Sequence, residues 1–384
     1  MRLRRSANVV DAALDEALSQ PGCPVCRLVE RSTARFFDSL LWELVNDPGV
    51  RQELRDSLGL CPRHWWELVH VERTRTHNVL GLAILLHDVV QAMGQALQQW
   101  AAAGGERRSR RTVVSGRNRL ALRPHGCPAC RQATSAEAAY VQRLVERYEA
   151  LGGGGDPDAA AREAGGLCTA HAGAALTRRG SLGRPLAGWP VEVVAGAEPA
   201  SLLPRPRVSR PRSRDLPGAD GGAEASPCWV CSALARGAEV APRGAGDALS
   251  PTGCVPVGRG ATLCTAHVSA EADPTPWLEA ARRARASGKV YTLRCVRCEQ
   301  EAALQREHLA GAQGPLCFPH LTQMAEPPAA VVEPTARWAA DLVQRLAGFI
   351  RKQDWHVDEP LTEPERTSVR EATLFVAGAY VVTE

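Results

Sequence analysis

The stretch GLCPRHWWELV, residues 59–69, puts a cysteine and a histidine three positions apart where a helix would begin. The phrase returns as GLCTAHAGAAL from Gly166, TLCTAHVSAEA from Thr262 and PLCFPHLTQMA from Pro315. A Cys-x-x-Cys precedes each of them, in strict alternation along the chain. Cys23 and Cys26 precede Cys61 and His64; Cys127 and Cys130 precede Cys168 and His171. Cys228 and Cys231 precede Cys264 and His267; Cys295 and Cys298 precede Cys317 and His320. With 10 histidines in 384 residues, four at one offset from a cysteine is a poor match to chance.

A two-residue spacer lets two side chains of a helix start converge on one ion, and a second such pair closes a tetrahedron. Three thiolates and one imidazole favour zinc over the hard cations that oxygen ligands select. The order of the motifs predicts four Cys3His sites, each Cys-x-x-Cys pairing with the Cys-x-x-His that follows it. Up to four zinc ions are expected, with an iron–sulfur cluster as the alternative occupant. Four protein ligands leave no open position for water or substrate, so the sites read as structural and no catalytic residue is assigned. Cys254 alone of the 13 cysteines falls outside the quartets and reads as an unligated thiol.

The rest of the chain reads as helices and linkers. After Cys26, Leu28, Val29, Phe36, Phe37, Leu40, Leu41, Leu44 and Val45 recur at helical spacing, and NDPG at 46–49 ends that helix. A long helix is expected over roughly 77–103, a further one through Tyr140 and Leu144, and a second long one beginning at Pro334. The fold class is therefore all-α: tandem zinc modules joined by long helices and flexible linkers. The expected boundaries are module one with its long helix at 1–104, an arginine-rich linker at 105–126 and module two at 127–182. A disordered Pro/Arg/Gly linker follows at 183–226, then module three at 227–270, module four at 271–327 and C-terminal helices at 328–384. Trp42, Trp65 and Trp66 are candidates for an exposed patch, though their spacing suits a core better.

Composition narrows the partners. Apolar residues make up 45%, charged residues 23%, and the net charge is +4, as in ordinary globular protein. Only Lys289 and Lys352 of the 46 basic residues are lysine, which reads first as genomic base composition. A protein partner is expected from the closed sites. Nucleic acid is the alternative, through seven arginines in 107–123 and five in 205–214. The most apolar stretch, NVLGLAILLHDVV at 78–90, is too short to cross a bilayer, so no membrane is expected. A cytoplasmic location is expected, where disulfides would not employ the cysteines. Cys-x-x-Cys at a helix start also allows a thiol redox switch that releases zinc, although no βαβ pattern accompanies it.

CPVCRLVE and NDPGVRQELRDSLGLC with the following histidine, within residues 20–64, resemble an uncharacterised bacterial family of unknown function. The segment RKQDW…EP…E…S over 351–368 resembles the end of its members. The resemblance implies a helical fold and carries no activity. It also implies two modules, where this chain writes four.

Overall fold

The structure is a computed structural model. It describes residues 9–20, 23–76, 79–102, 126–150, 167, 171, 174–175, 227–231, 254–257, 261–264, 296–324 and 326–378. The expected linkers at 105–126 and 183–226 lie outside these residues, apart from Gly126.

Helix starts follow a shared local chemistry. The helices α2 (Pro24–Trp42), α4 (Pro62–Val71) and α6 (Pro128–Ala150) each begin with a proline that follows a cysteine. Proline suits that first position because its missing N–H would be unpaired there anyway. Asp47 caps α3 (Pro48–Asp56) in the ordinary way, its carboxylate accepting from the Val50 N–H at 2.8 Å. Cys61 stands at the cap position of α4 without making that bond. Its sulfur is committed elsewhere.

The other helices are α1 (Val9–Leu18), α5 (Val79–Ala102), α7 (Val296–Ala310), α8 (Phe318–Leu321), α9 (Ala329–Arg351) and α10 (Glu363–Ala377). The chain is all-α in organisation. The strands among the described residues are two four-residue segments, β1 (Cys254–Val257) and β2 (Ala261–Cys264), paired antiparallel with Cys254 opposite Cys264.

Cα proximity divides the chain into two units that interleave along the sequence. The first comprises Met1–Thr33, Arg131–Arg207 and Gly244–Glu299; the second comprises Ala34–Cys130, Val208–Arg243 and Gln300–Glu384. In the first, Val25 and Val29 pack with Ala133, Val141 and Val145, while Leu14 and Ala17 close over Leu28. Arg143 pairs with both oxygens of Asp11, at 2.6 and 2.7 Å. Buried Arg27 donates to the Ala17 carbonyl at 2.6 Å, placing positive charge at the C-terminal end of α1.

The core of the second unit is built on α5, α9, α10 and α4. Leu82, Leu86, Val89, Met93 and Leu97 of α5 are fully buried with Ala339, Leu342 and Leu346 of α9. The helix realised over 79–102 has the length and apolarity of a membrane span, unlike the shorter stretch read from sequence, and much of that apolar surface lies in this core. Trp338 meets Phe375 edge-on, and the indole N–H of Trp66 donates to the Gly378 carbonyl at 3.1 Å. Trp65 and Trp66 are core residues, whereas Trp42 is exposed.

α9 begins a turn and a half before the expected start at Pro334, which lies inside it. The proline removes one helical hydrogen bond. Val331 and Val332, both fully buried, offset that loss. Thr335 reinforces the turn by donating to the Val331 carbonyl and accepting from the Leu316 N–H.

Asp88 interrupts the apolar face of α5 for a reason. Arg51 holds both its oxygens at 3.0 and 3.1 Å, and Arg55 adds a third bond at 2.6 Å, so α3 is clamped to α5. Replacing Asp88 by alanine would remove the one carboxylate shared by two guanidinium groups, leaving Arg55 only its bonds to Gln52. Because both arginines keep some solvent, the expected loss is about 1–3 kcal/mol, read from urea denaturation midpoints. The Arg51→Ala/Asp88→Ala double variant should lose less than the sum of its singles.

Candidate metal centres

In four of the motifs the two ligands take the position before a helix and the third residue of that helix. Cys23 and Cys26 flank the start of α2, Cys61 and His64 that of α4, and Cys127 and Cys130 that of α6. Cys317 and His320 do so at α8, where Cys317, like Cys61, makes no capping bond. The unpaired N–H groups and dipole of a helix start favour a thiolate there.

These pairs converge in three clusters: Cys61, His64, Cys127 and Cys130; Cys228, Cys231, Cys317 and His320; and Cys23, Cys26 and His171. The grouping differs from the one expected. Among the described residues no cluster joins a Cys-x-x-Cys to the Cys-x-x-His next after it. The first Cys-x-x-Cys meets the second histidine, the first Cys-x-x-His meets the second Cys-x-x-Cys, and the third Cys-x-x-Cys meets the fourth Cys-x-x-His. Helix length explains the correction. The His64 ring contacts Phe37 edge-on, and Phe37 stands eleven residues, about 16 Å, beyond Cys26 on α2. α2 carries the chain away from its own cysteines, so the next pair finds another helix start.

The spacing within the clusters suits a tetrahedral ion. Three sulfurs, of Cys61, Cys127 and Cys130, lie 3.2–3.3 Å from the single Nδ1 of His64, and Cys61 and Cys130 sulfurs are 3.8 Å apart. In the second cluster Cys317, Cys228 and Cys231 lie 3.1, 3.5 and 3.5 Å from His320 Nδ1, with 3.8 Å between Cys231 and Cys317. Zinc bonds of ~2.3 Å to sulfur and ~2.0 Å to nitrogen give tetrahedron edges of about 3.8 Å and about 3.5 Å. One ring nitrogen carries one proton or one lone pair, so hydrogen bonding does not explain three sulfurs gathered on it. A central cation does. In the third cluster Cys23 and Cys26 both lie 3.3 Å from His171 Nδ1.

Electrostatics points the same way. Contacts with Cys127 and Cys130 push the Cys61 thiol far up, while contacts with Cys130 and Cys61 pull Cys127 far down. Burial pushes the Cys317 thiol up, with Cys228 and Cys231 adding to it. Cys228 is held well down against its burial by Cys231, Cys317 and His320. The sulfurs cannot all ionise unaided. Burial disfavours a charged His64, yet the neighbouring sulfurs of Cys127 and Cys130, with Glu67, outweigh it and hold the ring up at about 9. At His171, Cys26 and Glu137 overcome burial and hold the ring at about 9 as well. Such a field is what a divalent cation satisfies.

Two of the three outer nitrogens have partners that the sequence did not announce. His320 Nε2 lies 3.0 Å from Gln305 Oε1, and Gln305 donates to Gln323 at 2.6 Å. His171 Nε2 lies 3.3 Å from Glu137 Oε1. Such partners fix the ring and its tautomer, leaving Nδ1 for the metal. His64 Nε2 is buried 3.7 Å from Glu67 Oε2, beyond hydrogen-bond reach, and Glu67 is bonded to Arg63. Glu67 and His70 form a Glu-x-x-His of the kind used in di-iron bundles, but among the described residues no metal-compatible cluster includes His70.

Burial differs between the clusters. All four residues around His320 are buried, whereas Cys130 is exposed and Cys61 half-buried. None of the eight cysteines in the three clusters is in a disulfide. Cys168, His267 and Cys295 lie outside the described residues, and only the backbone is described for Cys254, Cys264 and Cys298.

No solved structure matches the chain. An uncharacterised 23.9 kDa protein from Caldicellulosiruptor sp. (strain Rt8B.4), named for its position in the xynA 3' region, is 34% identical over 77 residues. That match covers 20% of this chain, which spans about a third of the relative's length. Residues 8–181, which hold all the cysteine and histidine motifs of the first two modules, match a family of unknown function, DUF6062.

Proposed function

We propose that the protein is a zinc-stabilised helical scaffold for a protein partner, carrying four structural Cys3His centres paired in a nested order. The observation that carries the zinc reading is the convergence of three sulfurs on one imidazole nitrogen in two separate clusters. Both are filled by protein ligands, which suits structure rather than catalysis.

Nesting extends the ligand set. In the first half of the chain the outer motifs supply Cys23, Cys26 and His171, and the inner ones supply Cys61, His64, Cys127 and Cys130. Cys168, three residues before His171, is the fourth outer ligand by analogy with Cys61 and Cys317. In the second half the outer set is Cys228, Cys231, Cys317 and His320. The same rule assigns Cys264, His267, Cys295 and Cys298 to the remaining centre.

Native mass spectrometry with elemental analysis tests this directly. The full chain is expected to hold four zinc ions. Cys61→Ser and Cys130→Ser should each lose one ion, and their combination the same single ion. Cys23→Ser combined with Cys61→Ser should lose two. If that last pair loses only one, the nested order is wrong; if the native chain holds no zinc, the scaffold reading fails.

A further inference from the structure

The connection between α9 and α10, residues 352–362, is tied down from inside while its tip faces water. Lys352, with a side chain only 7% exposed, donates to Glu365 at 2.7 Å and to the Pro360 carbonyl at 3.0 Å. Glu365 closes a capping box with Thr362 and lies over Gly348, where a Cβ would come within 2.4 Å of its carboxylate. The Lys352 ammonium and the Thr362 N–H hold the Glu365 carboxyl down at about 2. Arg351 grips both oxygens of Glu359, at 2.8 and 2.5 Å.

Trp355 stands on this frame 87% exposed, its ring 3.5 Å from that of His356. Asp354 receives both the backbone N–H and the Nδ1 of His356, which lower its carboxyl below the usual range. The charges around the tryptophan do not balance. Residues 351–366 contain five carboxylates and three lysine or arginine cations. Those cations are engaged with Glu359, Glu365 and Glu363. Asp354, which accepts from His356, and Asp358, three residues beyond Trp355, are the carboxylates outside those three lysine and arginine pairs.

We infer that the Trp355–His356 tip is a docking surface for an arginine-bearing segment of a protein partner. A guanidinium stacks on the indole face while Asp354 and Asp358 neutralise it. Rigidity is part of the fit, because a loop already held in place loses little freedom on binding. Excess negative charge disfavours nucleic acid and anionic lipid at this tip. The inference builds on the scaffold reading and names its contact surface.

The test is fluorescence anisotropy of the full-length, zinc-loaded protein with labelled hexa-arginine, with hexa-glutamate as the charge control. Zwitterionic phosphatidylcholine vesicles are assayed in parallel by co-sedimentation. Hexa-arginine should bind in a Trp355-dependent way, whereas any hexa-glutamate binding should be unchanged by Trp355→Ala. Trp355→Ala should weaken binding about fivefold, and Asp354→Asn with Asp358→Asn should weaken it at least as much. Trp42→Ala, at another exposed tryptophan, should leave it unchanged. No binding at millimolar peptide, unchanged binding by Trp355→Ala, or Trp355-dependent binding to vesicles would each overturn the proposal. Because zinc content is measured on the same samples, loss of peptide binding with all metal retained rejects this surface and leaves the scaffold reading standing.

Discussion

His320→Ala should cost the second unit one zinc ion and most of its stability. The ring is completely buried, and its removal leaves the three buried sulfurs of Cys228, Cys231 and Cys317 without it. A structural zinc site carries apparent binding of ~10–16 kcal/mol, comparable to a domain's whole stability of ~5–15 kcal/mol. The disturbance is not confined to α8. Gln305 of α7 loses the partner that orders its bond to Gln323, and Phe318 and Leu321 pack in the same core as α9 and α10. Thermal unfolding should become broad or vanish, and amide exchange in α9 and α10 should approach that of an unfolded chain. His320→Cys separates metal from packing: a fourth thiolate still binds zinc and should restore the ion and part of the melting transition. A His320→Ala variant that melted like the native protein with its zinc intact would refute the structural role.

The two classes of metal-site information differ in how far the sequence reveals them. Ligand identity and helix starts are local properties: Cys-Pro followed by a ligand at the third helical position shows both at once. Pairing is not local, because every Cys-x-x-Cys is chemically equivalent and the geometry of intervening helices chooses among them. The nineteen residues of α2 put His64 beside Phe37 rather than beside Cys26. Gln305 and Glu137 gave no signal, since a second partner for a histidine has no fixed spacing from it. Pro334 misled for a related reason. The preference of proline for a helix start is local, while the burial of Val331 and Val332 that overrides it depends on packing. Trp42 shows the converse, lying on the expected helix but outside the core.

The glycine of the opening phrase should be nearly as sensitive as the ligands that follow it. Gly59 ends the turn after α3 with φ at +87°, next to Leu58, itself at +51°. Its N–H donates to the Leu54 carbonyl at 2.7 Å, and Ser57 donates to the Gly59 carbonyl at 2.9 Å, so this conformation is held on both sides. A Cβ there would lie 2.9 Å from both the Trp65 ring and a methyl of Val89. Both side chains are fully buried, so neither can swing away. Gly59→Ala therefore combines left-handed backbone strain of ~1–2 kcal/mol with overpacking of ~1–3 kcal/mol, or about 2–5 kcal/mol together. Two residues further on is Cys61, so the displacement passes into the metal centre. Urea denaturation should report the stability loss, and a chelator competition should show zinc leaving the Cys61 centre faster than the His320 centre. Leu58→Gly relieves a positive φ but empties a buried core position, so its stability loss should come from the cavity and not from overpacking. If Gly59→Ala unfolds at the native urea concentration, the close approach of this turn to Trp65 does not hold the first Cys-x-x-His in place.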